Sequence, residues 1–287
     1  MTVTPLGATI GAELSNLTLG SPLAGDDVAA LRRALVEHKV LVARGQHLTP
    51  EQLTAAGAQL GPLTAAHPVL PPIDPDHPHV MEIDTTRSRT DPRYRDEYEN
   101  DTWHTDVSFM PDPPLGSMLS GVVIPPLGGD TAFIDAQAAY ASLSEPVRSL
   151  IDGLAAEHDG SKEFASFLAR SPEGGTWGGR PLRELVPVVH PVVRVHPESG
   201  RRSLFVNPTF TTRVVGLSKL ESARLLAMLY EHAAIAEHVF RHRWQEGDVV
   251  IWDNRSTMHM GVRDYGDAHR VLHRVTVAGD VPVGVSA

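Results

Sequence analysis

A chain of 287 residues, 41% hydrophobic and 21% charged, has the balance of a globular protein with a sizeable core rather than of a disordered tail. Its formal net charge of −10 argues against a nucleic-acid partner, because phosphate binders carry a basic excess. With no cysteine present, disulfides, thiolate metal ligands and a cysteine nucleophile are all excluded, so any metal site must draw on nitrogen and oxygen donors. No apolar run approaches the roughly 18 residues needed to span a bilayer, so no membrane partner is expected. The opening Met1-Thr-Val-Thr-Pro-Leu lacks the basic and apolar segments of a secretory signal, which makes the cytoplasm the expected location.

In chain order, the spacing of Val28, Leu31 and Leu35 predicts an amphipathic helix over Asp26–Lys39. Val40-Leu41-Val42 reads as a buried strand ended by Arg44-Gly45. Thr49-Pro50-Glu51-Gln52 announces a second helix: Thr49 caps, Pro50 suits the first position, Gln52 completes a capping box, and Gly61 can stop it. Residues 71–100 are rich in Pro, Asp, His, Arg and Glu without periodicity, and a long loop is expected there, above all over Thr85–Asn100. Loops of that length in compact domains often act as lids. A second lid is expected within 161–185, centred on Ser171–Arg180.

Short β-type runs follow at Val122–Ile124, Thr131–Ile134, Val192–Val195, Leu204–Val206, Val249–Trp252 and Val271–Val277. A helix over Ser218–His232 opens on a Ser218–Glu221 capping box, with Leu225 and Leu229 along one face. Strands scattered among helices without regular alternation argue against a Rossmann-type sheet. They predict one domain over residues 1–287, mainly β with flanking helices, built on a double-sheet jelly roll, the double-stranded β-helix of cupin-like proteins.

Trp103-His104-Thr105-Asp106 carries the first chemical signal. On an extended strand, residues two apart point the same way, so His104 and Asp106 could present a nitrogen and an oxygen to one ion. In a chain with 15 histidines and 35 acidic residues such a pair is weak by itself. Far downstream, Trp252-Asp253-Asn254-Arg255 leads to His259, then to Arg270 and Arg274. A distal histidine would complete two histidines and one carboxylate, the facial triad associated with non-haem Fe(II) oxygenases, which leaves positions open for a bidentate 2-oxo acid and O2. The distal carboxylate of 2-oxoglutarate then needs a cation, and the planar fork of arginine matches it. Arg270 and Arg274 lie four apart on a strand-like run, so both can face one interior.

Together these motifs resemble the taurine dioxygenase family, a branch of the Fe(II)/2-oxoglutarate oxygenases that includes alkylsulfatases and aryloxyalkanoate dioxygenases. The 103–109 run resembles the family's proximal metal motif. The 252–274 run resembles its distal one, with arginines eleven and fifteen residues beyond the histidine. Gly-Gly-Asp-Thr at 128–131, His-Pro-Val-Val-Arg at 190–194 and Val-Asn-Pro-Thr-Phe-Thr-Thr-Arg at 206–213 match as well, so the likeness covers nearly the whole chain.

The resemblance implies that His104, Asp106 and His259 hold Fe(II) as the catalytic metal, with 2-oxoglutarate and O2 as co-substrates. It implies that Arg270 and Thr131 bind 2-oxoglutarate. Arg274 and His67 would meet the anionic group of a small organic substrate, with Asn100 nearby and Phe109, Phe164 and Phe210 lining the pocket. From the residues alone, the three phenylalanines also read as ordinary core and His67 as a turn cap before Pro68. A homodimer or homotetramer is implied.

Two departures bear on substrate. Leu70 stands where taurine dioxygenases place a tyrosine, and the stretch between His67 and His104 is longer than theirs, its excess being the charged 87–100 region. Taurine or another small sulfonate, giving sulfite, an aldehyde, succinate and CO2, is the first expectation. An alkyl sulfate, another alkylsulfonate or an aryloxyalkanoate is the alternative, and Leu70 favours the first two. A zinc hydrolase and a non-catalytic anion-binding protein are the readings of other classes.

Overall fold

Local chemistry sets the element starts. In the computed structural model, which describes residues 1–86, 102–170 and 174–285, Thr49 Oγ1 accepts from the backbone N–H of Gln52. The Gln52 side chain accepts in return from that of Thr49. Ser218 and Glu221 form the same reciprocal pair.

The chain runs through β1 (Thr2–Pro5), β2 (Ala12–Ser15), α1 (Gly25–His38), β3 (Val40–Ala43), α2 (Pro50–Ala58) and β4 (Met81–Asp84). Next come β5 (Gly116–Val123), β6 (Thr131–Asp135), α3 (Ala136–Ser142), α4 (Glu145–Ile151), β7 (Ala155–His158) and α5 (Ser161–Arg170). The short strands β8 (Gly175–Trp177), β9 (Arg180–Leu182), β10 (Val188–Pro191), β11 (Val193–Val195), β12 (Arg202–Leu204) and β13 (Thr211–Val214) follow. Last are α6 (Lys219–Ala233), β14 (Val239–His242), β15 (Val249–Asp253), β16 (Thr257–Gly261) and β17 (Val271–Val277).

A seven-stranded sheet, ordered β1-β2-β3-β15-β5-β17-β4, faces a three-stranded sheet ordered β14-β6-β16. Side-chain alternation along the large sheet sorts two cores. Met118, Val249, Ile251, Val275 and Val277 turn outward and pack with Leu31 and Leu35 of α1 and Leu53 of α2. Leu119, Val250, Trp252 and Leu272 turn inward and meet Phe133 of β6. Behind the smaller sheet, Ile134 and Met258 pack with Leu226 and Leu229 of α6 and with Tyr140 of α3. The mainly β, double-sheet architecture with flanking helices thus matches the expectation.

Several details differ. The 71–100 stretch is not loop throughout, because Met81–Asp84 forms β4 and pairs antiparallel with β17, Arg274 lying opposite Met81. The 161–185 stretch is a helix followed by the β8–β9 hairpin rather than a loop. Residues 87–100, including Asn100, lie outside the described residues, as does part of the 171–180 segment. On α6 the buried face runs through Ser222, Leu226, Leu229 and Ala233, one position off the predicted Leu225.

Candidate active site

His104 and His259, 155 positions apart, are joined by an isolated antiparallel bridge. The His104 N–H donates to His259 O at 3.0 Å, and the His259 N–H donates to His104 O at 2.8 Å. This two-way backbone pairing holds the imidazole centroids 4.2 Å apart. Asp106 is not on a strand as expected: the chain enters a turn there, Val107 takes φ 53°, and the Ser117 hydroxyl and Arg274 hold the carboxylate beside the histidines. One ligand atom from each of His104, Asp106 and His259 falls within 4.8 Å of the others, the cluster of this kind found among the described residues.

The protonation chemistry suits a divalent metal. His104 Nδ1 lies 2.9 Å from the carbonyl of Thr102, which can only accept, so Nδ1 carries a proton and Nε2 is the nitrogen turned to ligation. Burial pushes His259 down to about 3, keeping it neutral and able to ligate. Burial alone would raise Asp106, but the charge of Arg274, the two imidazoles and the Ser117 hydroxyl hold it well below the usual carboxylate range. Ser117 Oγ–H donates to Asp106 Oδ2 at 2.6 Å, and Arg274 donates to Oδ1 at 2.7 Å. Two imidazoles and one carboxylate, in a chain without thiolates, fit Fe(II).

The triad opens on a cavity of about 190 Å³. At one end stand Arg270, Thr131, Tyr265, Leu119 and Leu272. Trp244 Nε1–H donates to Thr131 Oγ1 at 2.9 Å, which leaves the hydroxyl proton to be aimed at an anion. Arg270 Nε–H donates to Gly129 O at 3.0 Å, and the guanidinium stacks 5.8 Å from the Tyr265 ring centroid. Gly129 has φ 73°, and a Cβ there would stand 3.1 Å from the Arg270 side chain, so the close approach needs glycine. Arg270, Leu272 and Arg274 share the inward parity of β17, as the sequence predicts.

Around Arg274 the lining is His67, Leu70, Met81, Phe164 and Phe210, while Ile83 pairs with Leu272. His67 Nδ1 accepts the backbone N–H groups of Val69 and Leu70, each at 3.1 Å. The proton therefore sits on Nε2, and burial together with Arg274 pushes the ring down to about 3. Phe164 packs against His67, its ring tilted by 56° with centroids 4.7 Å apart. Phe109 is corrected: it is no part of the lining but sits behind Phe164 and Phe210, with centroids 5.4 and 4.8 Å away. The turn at Asp106 and Val107 rotates Phe109 out of the expected position. Ser117, Trp244, Met81 and Ile83 were missed; β4 was hidden in a loop-like composition, and only the β5 alternation could have flagged Ser117.

The sequence profile described as "Taurine catabolism dioxygenase TauD, TfdA family" matches residues 2–276. The "Alpha-ketoglutarate-dependent sulfate ester dioxygenase" of Pseudomonas putida is 38% identical over 285 residues, covering 99% of this chain and 91% of that protein. The "Alkylsulfatase" of Acinetobacter baylyi is 37% identical over 288 residues, covering 97% and 85%. The crystal structure of a taurine dioxygenase from Burkholderia xenovorans superposes with a TM-score of 0.81 at 38% identity, covering 99% and 92%. The chain belongs to the TauD/TfdA family of Fe(II)- and 2-oxoglutarate-dependent dioxygenases, and its His104, Asp106 and His259 form a donor set suited to that metal.

Proposed function

We propose that the enzyme hydroxylates the carbon beside the sulfur-bearing group of a small organic sulfate ester or sulfonate with an apolar alkyl arm, and that sulfate esters are preferred. The observation that carries this reading is the state of Arg274. Its guanidinium is buried, its Nε has no hydrogen-bond partner among the described residues, and one terminal nitrogen rests against the Sδ of Met81 at 3.2 Å, a poor acceptor. A buried cation so incompletely satisfied favours an incoming anion. The His67 Nε2–H supplies a neutral donor beside it. Leu70, Met81, Phe164 and Phe210 form apolar walls, which suit an alkyl chain better than the ammonium of taurine. The names of the Pseudomonas and Acinetobacter relatives, both sulfate ester enzymes, support the same preference.

Bound Fe(II) supplies O2 activation coupled to oxidation of 2-oxoglutarate to succinate and CO2. The protein's part is positioning and exclusion. Arg270 and Thr131 hold the distal carboxylate of 2-oxoglutarate, and Arg274 with His67 fixes the substrate anion so that its neighbouring carbon faces the triad. Segment 161–185 acts as cover, since α5 carries Phe164 into the wall and Trp177 Nε1–H ties the β8–β9 hairpin to Asp112 at 2.7 Å. The hydroxylated carbon then expels sulfate or sulfite and leaves an aldehyde.

Succinate, sulfate and sulfite release across linear alkyl sulfates, alkylsulfonates, taurine and phenoxyacetate tests the reading. We expect kcat/KM to rise severalfold per added methylene over short chains, following about 0.8 kcal/mol per buried CH2. Taurine should trail every alkyl sulfate of similar length. A taurine rate above them all would remove the apolar wall as the selecting feature. Taurine is the second reading, favoured by Glu163 in the lining, where a carboxylate could meet an ammonium.

A further inference from the structure

Outside the cavity, directly behind the metal-ligand turn, lies a buried polar knot that no catalytic role explains. Asn207 Nδ2–H donates to Ser108 Oγ at 2.9 Å, and His158 Nδ1 lies 3.2 Å from the same oxygen. Asn207 Oδ1 accepts the backbone N–H of Phe210 at 2.8 Å, while the Asn207 N–H donates to Thr211 Oγ1 at 2.9 Å. Asn207, Ser108 and His158 are all buried. A full polar knot here costs desolvation and must be satisfied by its own geometry.

What it restrains is adjacent in the chain. Ser108 follows Val107, whose φ of 53° is a left-handed conformation that β-branched residues seldom adopt. Val107 in turn follows Asp106. Val107 and Ser108 both lie in the turn that begins at Asp106, so a restraint on Ser108 acts within two residues of the carboxylate. We infer that Asn207 is a positioning residue: through Ser108 it clamps the strained Val107 so that Asp106 faces the histidines, and through Phe210 it ties the same restraint to the substrate wall. His158 braces the clamp from behind, with Thr211 Oγ1 3.5 Å from its other nitrogen.

The test measures Mn(II) affinity of the chelator-stripped full chain by calorimetry or by the resonance of free Mn(II). Asn207→Ala is expected to weaken binding about 10- to 100-fold, the range for partners that orient metal ligands. Val107→Gly alone should bind nearly as wild type, because glycine accepts positive φ without strain. The double variant Asn207→Ala/Val107→Gly should recover most of the loss. Loss of fold stability alone would lower the melting temperature of the metal-free protein and would not be repaired by a glycine at 107. Ser108→Ala, with and without Val107→Gly, repeats the comparison with a smaller perturbation, should Asn207→Ala fail to fold. Wild-type Mn(II) affinity in both Asn207→Ala and Ser108→Ala, or a loss that Val107→Gly leaves untouched, overturns the assignment. Neither result depends on which organic substrate the enzyme takes.

Discussion

Replacing Arg274 with glutamine separates anion recognition from metal binding, because the two should move in different directions. The guanidinium is buried and donates at 2.7 Å to Asp106, a proposed metal ligand, while its Nε has no hydrogen-bond partner among the described residues. Truncating one member of a buried charged pair costs about 2–5 kcal/mol. At 1.4 kcal/mol per tenfold, that is a loss of roughly 30- to 4,000-fold in kcat/KM for the anionic substrate. Asp106, released from a competing cation 2.7 Å away, should bind Mn(II) as well as in wild type or better. Succinate formation without substrate should persist, since Arg270 and Thr131 are untouched. Paired assays of substrate-dependent sulfate release and of succinate in the same reactions give the coupling ratio. Unchanged substrate kcat/KM with normal coupling would refute the anion role. A collapse of Mn(II) affinity would instead show that Arg274 mainly orders Asp106.

Other outcomes follow from the same geometry. Arg270→Ala should raise the 2-oxoglutarate requirement by a comparable factor of roughly 30- to 4,000-fold while Mn(II) binding holds, as read by succinate kinetics and calorimetry. Gly175→Ala places a Cβ 1.9 Å from the Pro68 carbonyl, so it should lower stability by about 1–3 kcal/mol in thermal melts and raise substrate KM by shifting the His67 turn. For the metal-free protein, His67, His158 and His259 are each pushed from 6.5 to about 3 by burial above all. Between those values the unfolded chain binds the protons and the folded one does not. Their contribution is therefore complete above 6.5 and is lost as pH falls toward 3, each histidine costing up to about 1.4 kcal/mol per pH unit. Urea unfolding should show stability falling by several kcal/mol from about pH 6.5 to 5; a flat profile would mean these imidazoles are reached by solvent.

Elements whose cause is local were legible. The Thr49–Gln52 and Ser218–Glu221 boxes stand where their side-chain chemistry demands, and the alternation of Val271–Val277 gave both the strand and the shared facing of Arg270 and Arg274. The triad was legible as composition and order, yet its geometry was not. Asp106 was expected on a strand, whereas it opens a turn with a left-handed Val107, and Phe109, in the same turn, packs against Phe210. β4 escaped because a four-residue edge strand in charged, proline-rich surroundings is specified mainly by its distant partner β17. Ser117 and Asn207 belong to the same class: small polar residues whose roles arise from contacts 11 and 99 positions away in the chain.

Burial, with Arg274 beside it, turns His67 from an ordinarily pH-responsive ring into one that stays neutral, and which nitrogen carries the proton is fixed by the backbone grip on Nδ1. With that nitrogen committed to two amide hydrogens, the face toward the cavity offers a proton under every condition short of strong acid, much as an indole would. An oxyanion bound at this spot, as proposed, would need no protonation step, and mild acidification would leave the pairing of headgroup and protein undisturbed while ordinary histidines switch charge.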